Sequence, residues 1–130
     1  MSTGQEQHDQ QDEPLRTRRE RLGDAIVVHV AGELDSTTEP VLRGELAPAF
    51  ADAAANGRVP VVVDLTAVDF VASVGMALLV EYHHVGDRQG TPLRVVAPAG
   101  SPLRALRAAM LNHLLRLYPS LPEARAAVSS

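Results

Sequence analysis

The groups able to move protons or hold ions in this 130-residue chain are sixteen acids, twelve arginines and five histidines, with no lysine and no cysteine. Thiolate nucleophiles, disulfides and cysteine metal sites are therefore excluded. A phosphate-cradling loop is excluded too. Gly57, Gly75, Gly86, Gly90 and Gly100 stand apart, and a Walker-type loop needs the lysine that is missing. The histidines are His8, His29, His83, His84 and His113, and no hydroxyl, base and acid among them form a recognisable triad pattern. His83 and His84 are adjacent, so they cannot form the i, i+4 pair that chelates a metal, and ordinary helix surface positions account for both. His29 interrupts an apolar run and reads as a hydrogen-bonded, partly buried imidazole. The expectation is a non-enzyme with no metal and no cofactor.

One hydroxyl stands out. Ser73 directly precedes a run from Val74 to Asp87 in which Met76, Leu79, Val80 and His83 recur at helical spacing, so Ser73 is expected to be the N-cap. A hydroxyl there lies at the surface beside free backbone N–H groups and the positive end of the helix dipole, where a phosphate is tolerated. Phosphorylation would add about −1.5 to −2 charges at neutral pH, enough to break a desolvated contact at that helix start. Helix capping alone also selects serine at this position.

The elements that must position Ser73 alternate between strand and helix. Residues 1–14 (MSTGQEQHDQQDEP) have no apolar residue after Met1 and are expected to be a disordered tail, with the folded domain spanning 15–130. RTRRER reads either as a short first strand or as a solvated segment. Gly23-Asp24 is a turn, Ala25–Ala31 a strand closed by Gly32, and Ser36 with Glu39 and Pro40 begins a helix whose apolar face is Leu42, Leu46, Phe50 and Ala53. Pro48 predicts a kink or break near Ala47, and Asn56-Gly57 a helix stop. Val59–Leu65 (VPVVVDL) carries four valines in seven residues, as suits a central strand covered on both faces, with a short connection through Asp69 and Phe70. After Gly90 come a strand over Leu93–Ala97, a helix opened by Ser101-Pro102 and running through Leu103, Leu106 and Met110, a short final strand over Leu114–Tyr118, and a last helix from Ser120 to about Val128. This order predicts an α/β layer of four or five strands with covering helices.

The net charge of −4 offers no field for nucleic acid or an anionic membrane, and no apolar run is long enough to span a bilayer. With a polar N-terminus in place of a secretory signal, a cytoplasmic protein is expected, either monomer or weak homodimer.

Two motifs carry a resemblance. Gly32-Glu33-Leu34-Asp35 and, after the strand VVVDL, Phe70-Val71-Ala72-Ser73-Val74-Gly75-Met76 resemble the G-E-L-D and F-[IVM]-D-S-S-G-[LM] motifs of the STAS domain in anti-sigma factor antagonists. The usual aspartate is Ala72 here and the usual second serine is Val74. The resemblance implies a STAS-like mixed sheet and a protein switch. The unphosphorylated antagonist binds an anti-sigma factor that is also a serine kinase, phosphorylation at the position of Ser73 releases it, and a phosphatase resets it. It implies partner contacts at Asp35, Ser36, Thr37, Ala72, Val74, Gly75 and Met76. Asp35 lies near Ser73 if the strands of the two motifs are neighbours. Gly75 in a first helical turn costs about 1 kcal/mol against alanine, which suggests close approach of another backbone there, such as a partner's. The departures at Ala72 and Val74 favour the other reading, a STAS scaffold or ligand-sensing module that is not phosphorylated and binds constitutively.

Overall fold

The computed structural model describes residues 15–127, so the tail expectation for 1–14 lies outside the described residues, while the last helix ends at Ala126, with Ala127 already extended, two residues short of Val128. Five strands form one sheet in the order β1 (Arg16–Leu22), β2 (Ala25–Leu34), β3 (Val61–Val71), β4 (Leu93–Val96) and β5 (Leu117–Tyr118). β1 pairs antiparallel with β2, and the other pairings are parallel. The arginine-rich segment is therefore a strand. Its alternation explains how: Arg19 and Arg21 point to the helix-covered face and pair with Glu45 and Asp52, while Glu20 meets His29 on the other.

Four α-helices cover the sheet: α1 (Glu39–Ala55), α2 (Ser73–Gln89), α3 (Ser101–Ala108) and α4 (Leu121–Ala126), with a short 3-10 turn at Leu111–His113. Leu42, Leu46 and Phe50 of α1, Leu78, Leu79 and Tyr82 of α2 and Leu106 of α3 share one core with Ile26, Val28, Val61, Val63 and Val95. On the opposite face Ala124 of α4 packs with Ala25, Val27, Val62 and Val96. β3 lies at the centre, and its valine run Val61–Val63 is buried on both faces, as the β-branched sequence there requires.

Four expectations are corrected. Gly32 does not end β2: its φ of 116° lies within the strand, and pairing continues to Leu34↔Val71. Asp69 and Phe70 belong to β3, which accommodates them through two register shifts against β2. Pro48 does not break α1, which runs continuously through it; Pro48 and Gly44, whose carbonyl loses its helical donor, are both exposed residues, where water can replace the bond. The helix expected to run through Met110 stops at Ala108. Met110 takes a left-handed φ of 64°, and Leu111 and Leu115 take the places against the core.

Candidate functional site

The two motifs meet at the carboxyl edge of the sheet. β2 and β3 are parallel neighbours, so Leu34 and Val71 end side by side, and the Ala72 amide donates to the Leu34 carbonyl at 2.8 Å. Asp35 leaves one strand there and Ser73 the other.

Asp35 builds the turn into α1. Its Oδ1 accepts from the amides of Thr37 (3.0 Å) and Thr38 (3.1 Å), while the Thr38 hydroxyl accepts from the Asp35 amide at 2.9 Å and donates to the Glu33 carbonyl at 2.7 Å. Thr38, not Ser36, is the N-cap, and Pro40 sits in the first turn as expected. Ser36 and Thr37 are left exposed.

On α2 the N-cap is Ala72, with an extended ψ of 169°, and Ser73 is the first helical residue. The capping expectation for Ser73 is thus off by one position. Ala72 has no acceptor side chain, so no side chain caps the helix, whereas the family's aspartate would stand where a capping carboxylate works best. The Ala72 carbonyl already accepts from Gly75 at 2.9 Å and Met76 at 3.1 Å. The Ser73 side chain is exposed, and Val74 beside it is 41% exposed.

Gly75 and Met76 turn inward. A Cβ on Gly75 would lie 2.6 Å from Leu34 Cγ and 3.2 Å from Val71 Cγ1, so within the chain the close approach that glycine permits is that of the buried Leu34 side chain. Met76 is half-buried against the main core. The surface-facing members of the set are Ser36, Thr37, Ser73 and Val74, with Asp35 and Ala72 half-buried between them.

A shallow groove opens beside this edge. Ser36, Glu39 and Arg43 of the α1 side face Val74, Ala77 and Glu81 of α2. Arg43 bridges the walls with two 3.0 Å bonds to Glu81 and one of 3.0 Å to Glu39. The hydrogen bonds to Glu81, then to Glu39, push its guanidinium above its usual range. Sequence reading missed this wall, although Glu39 and Arg43 stand at i, i+4 spacing. Exposed Phe70, at 47%, was also taken for plain connection.

The histidines are not part of this site. His29 is half-buried and hydrogen-bonded by Asp64 and Glu20 at 3.0 and 2.8 Å, as expected. His83 is not a surface residue: it is 6% exposed, between Asp87 and Arg116. Among the described residues no three His, Asp or Glu are grouped to hold a metal ion.

A five-stranded mixed sheet whose G-E-L-D turn abuts a helix-initiating serine defines a class of small α/β domains, and comparison with known proteins places the chain within it. The STAS domain family matches residues 16–124; the chain belongs to that family. It is 30% identical over 110 residues to Rv2638 of Mycobacterium tuberculosis, a candidate anti-anti-sigma factor, covering 85% of this chain and 73% of that protein. A crystal structure of an anti-sigma factor antagonist from Mycobacterium paratuberculosis superposes with a TM-score of 0.71 at 30% identity, covering 85% of this chain and 90% of the other. The anti-sigma factor antagonist SpoIIAA in its unphosphorylated form shares the fold, with a TM-score of 0.59 at 15% identity over 83% of this chain and 92% of its own. Among the described residues no helix is long and apolar enough to cross a membrane.

Proposed function

We propose that the protein is a cytoplasmic anti-sigma factor antagonist, a binding protein without turnover, whose Ser73 accepts a phosphoryl group from an anti-sigma factor that is also a serine kinase. One observation carries this reading: Ser73 stands exposed on the first residue of α2, at the edge where the Asp35 turn and the α1–α2 groove converge. Unphosphorylated, this edge binds the anti-sigma factor and frees its sigma factor. A phosphate on Ser73 places a strongly hydrated dianion beside Val74 and the groove, which desolvation in a complex cannot accommodate. The fold tolerates the modification because the side chain makes no internal contact that must break and lies at a positive helix end. SpoIIAA, which has this fold, has been solved in both unphosphorylated and phosphorylated forms. A phosphatase would restore the binding state.

A second reading rests on Ala72 and Val74. They remove an acid and a hydroxyl from either side of Ser73, and a scaffold that binds its partners constitutively needs neither.

The deciding experiment is intact-mass measurement after incubation with ATP and each anti-sigma kinase of the source genome, with Ser73→Ala as control. The switch requires a single phosphoryl addition that Ser73→Ala abolishes, together with loss of anti-sigma binding in Ser73→Glu. Stable complexes that never modify the protein, with Ser73→Glu binding as well as the parent, would establish the scaffold instead.

A further inference from the structure

The chain is net −4, yet from Tyr82 to Pro122 its only acid is Asp87, against Arg88, Arg94, Arg104, Arg107 and Arg116. Two of these arginines have internal work. Arg94 is buried and donates to the Ala124 carbonyl at 2.8 Å, and Arg116 pairs with Asp87 at 3.2 Å. Arg104 and Arg107 do not: they lie one turn apart on the outward side of α3, opposite buried Pro102 and Leu106, and neither forms an ion pair with a described residue. Directly after them the chain turns Met110 outward. Its φ of 64° is a conformation that a long side chain rarely adopts, and the side chain is 65% exposed, the most exposed large apolar group among the described residues. Leu114, across the 3-10 turn, is 37% exposed. A strained backbone whose visible result is a methionine held in water points to a use for that methionine.

We infer that Arg104, Arg107, Met110 and Leu114 form a docking surface for an acidic segment of a second protein that carries apolar side chains. Methionine and arginine are the residues that interface centres concentrate, and the two guanidiniums have no carboxylate partner among the described residues, which a second protein can bring. A lipid surface fits less well, because two cations and two apolar groups fall short of a membrane anchor and the whole chain is net negative. α2 and α3 both leave the carboxyl edge of parallel strands, so the Met110 end of α3 faces away from the edge that holds Ser73. The surface is independent of the Ser73 switch, and both can be occupied together.

The test uses the full chain, isotopically labelled, titrated with a synthetic amphipathic peptide of Glu and Leu, with its Lys-for-Glu counterpart, and with phosphatidylserine vesicles. The Glu peptide should bind saturably, weaken with salt and shift amide signals of residues 104–114 but not that of Ser73. Arg104→Glu with Arg107→Glu should weaken it about tenfold or more, and Ser73→Glu should leave it unchanged. Met110→Gly separates docking from folding: glycine relieves the left-handed backbone and should raise the thermal midpoint while weakening the peptide. The inference is overturned if the Glu peptide does not bind, if the Lys peptide binds as well, if the shifts centre on Ser73, if only vesicles bind, or if Met110→Gly binds as tightly as the parent.

Discussion

The amide of Ala72 donates to the carbonyl of Leu34 over 2.8 Å, and this bond carries the parallel pairing of β2 and β3 past the end of the strands into the turn that opens α2. It couples the two motifs directly, since a shift of Leu34 moves both the Asp35 turn and the residue on which α2 starts.

Ala72→Asp should stabilise the fold. A carboxylate at the N-cap accepts from first-turn amides that alanine leaves to water, a gain of about 0.5–2 kcal/mol. The urea midpoint should rise with an unchanged slope, which reports stability and not a changed unfolded state. An unmoved midpoint would show that the new carboxylate does not reach those amides.

Gly75→Ala and Gly86→Ala should both destabilise, although alanine is favoured in helices by about 1 kcal/mol. At Gly75 the new Cβ meets Leu34, and at Gly86 it would stand 2.5 Å from the Thr91 backbone oxygen. Overpacking of this kind costs about 1–3 kcal/mol, and Gly86 should suffer more because a backbone yields less than a leucine side chain. Leu34→Ala in the same chain should offset part of the Gly75→Ala loss and none of the Gly86→Ala loss, as a double-mutant cycle would read.

Asp35→Ala removes the acceptor of two amides and should lower stability by about 1–3 kcal/mol, whereas Asp35→Asn keeps an oxygen in the same place and should cost far less. The pair separates turn-building from recognition. If Asp35→Asn folds like the parent but loses anti-sigma binding in calorimetry, the partner reads the charge.

Acid should weaken the fold in two steps. Burial holds the His83 imidazole below its ordinary 6.5, with Arg116 and His84 adding to the effect and Asp87 opposing it. The unfolded chain then binds the proton more readily, so stability present above about pH 6.5 declines as pH falls towards the folded value. Glu20 lies below its ordinary 4.5, chiefly through its hydrogen bond with His29, so its contribution is present above 4.5 and is lost further into acid. His83→Phe should flatten the stability curve in the first window and leave the second; an unchanged first step would assign it to another group.

The sheet, the order of its elements and the edge that holds both motifs were legible because β-branched runs, turn dipeptides and the motifs all pointed the same way. Where sequence misled, tertiary contacts had overridden a local rule. Gly32 marks a strand end by propensity, yet it stays in β2 beside Leu15. Pro48 breaks helices by its missing donor, yet on an exposed face water replaces the bond. Ser73 is a better cap than Ala72 by residue type, but the bond from the Ala72 amide to Leu34 sets where the helix begins. His83 shares the helical spacing of Met76, Leu79 and Val80, so its burial was written in the stripe that the adjacency argument ignored; its contact with Arg116, more than thirty residues away, was not.

The two edges of the sheet also limit how this protein can be bound. β1 presents Arg16, Arg18, Arg19, Glu20 and Arg21 within seven residues, and β5 is only two residues long. Neither offers the long uncharged rim on which an extended peptide adds itself as another strand. Partners must instead read side chains at helix ends, so a single modified hydroxyl or a reversed pair of arginines can decide an encounter that a continuous backbone ladder would have made indifferent to both.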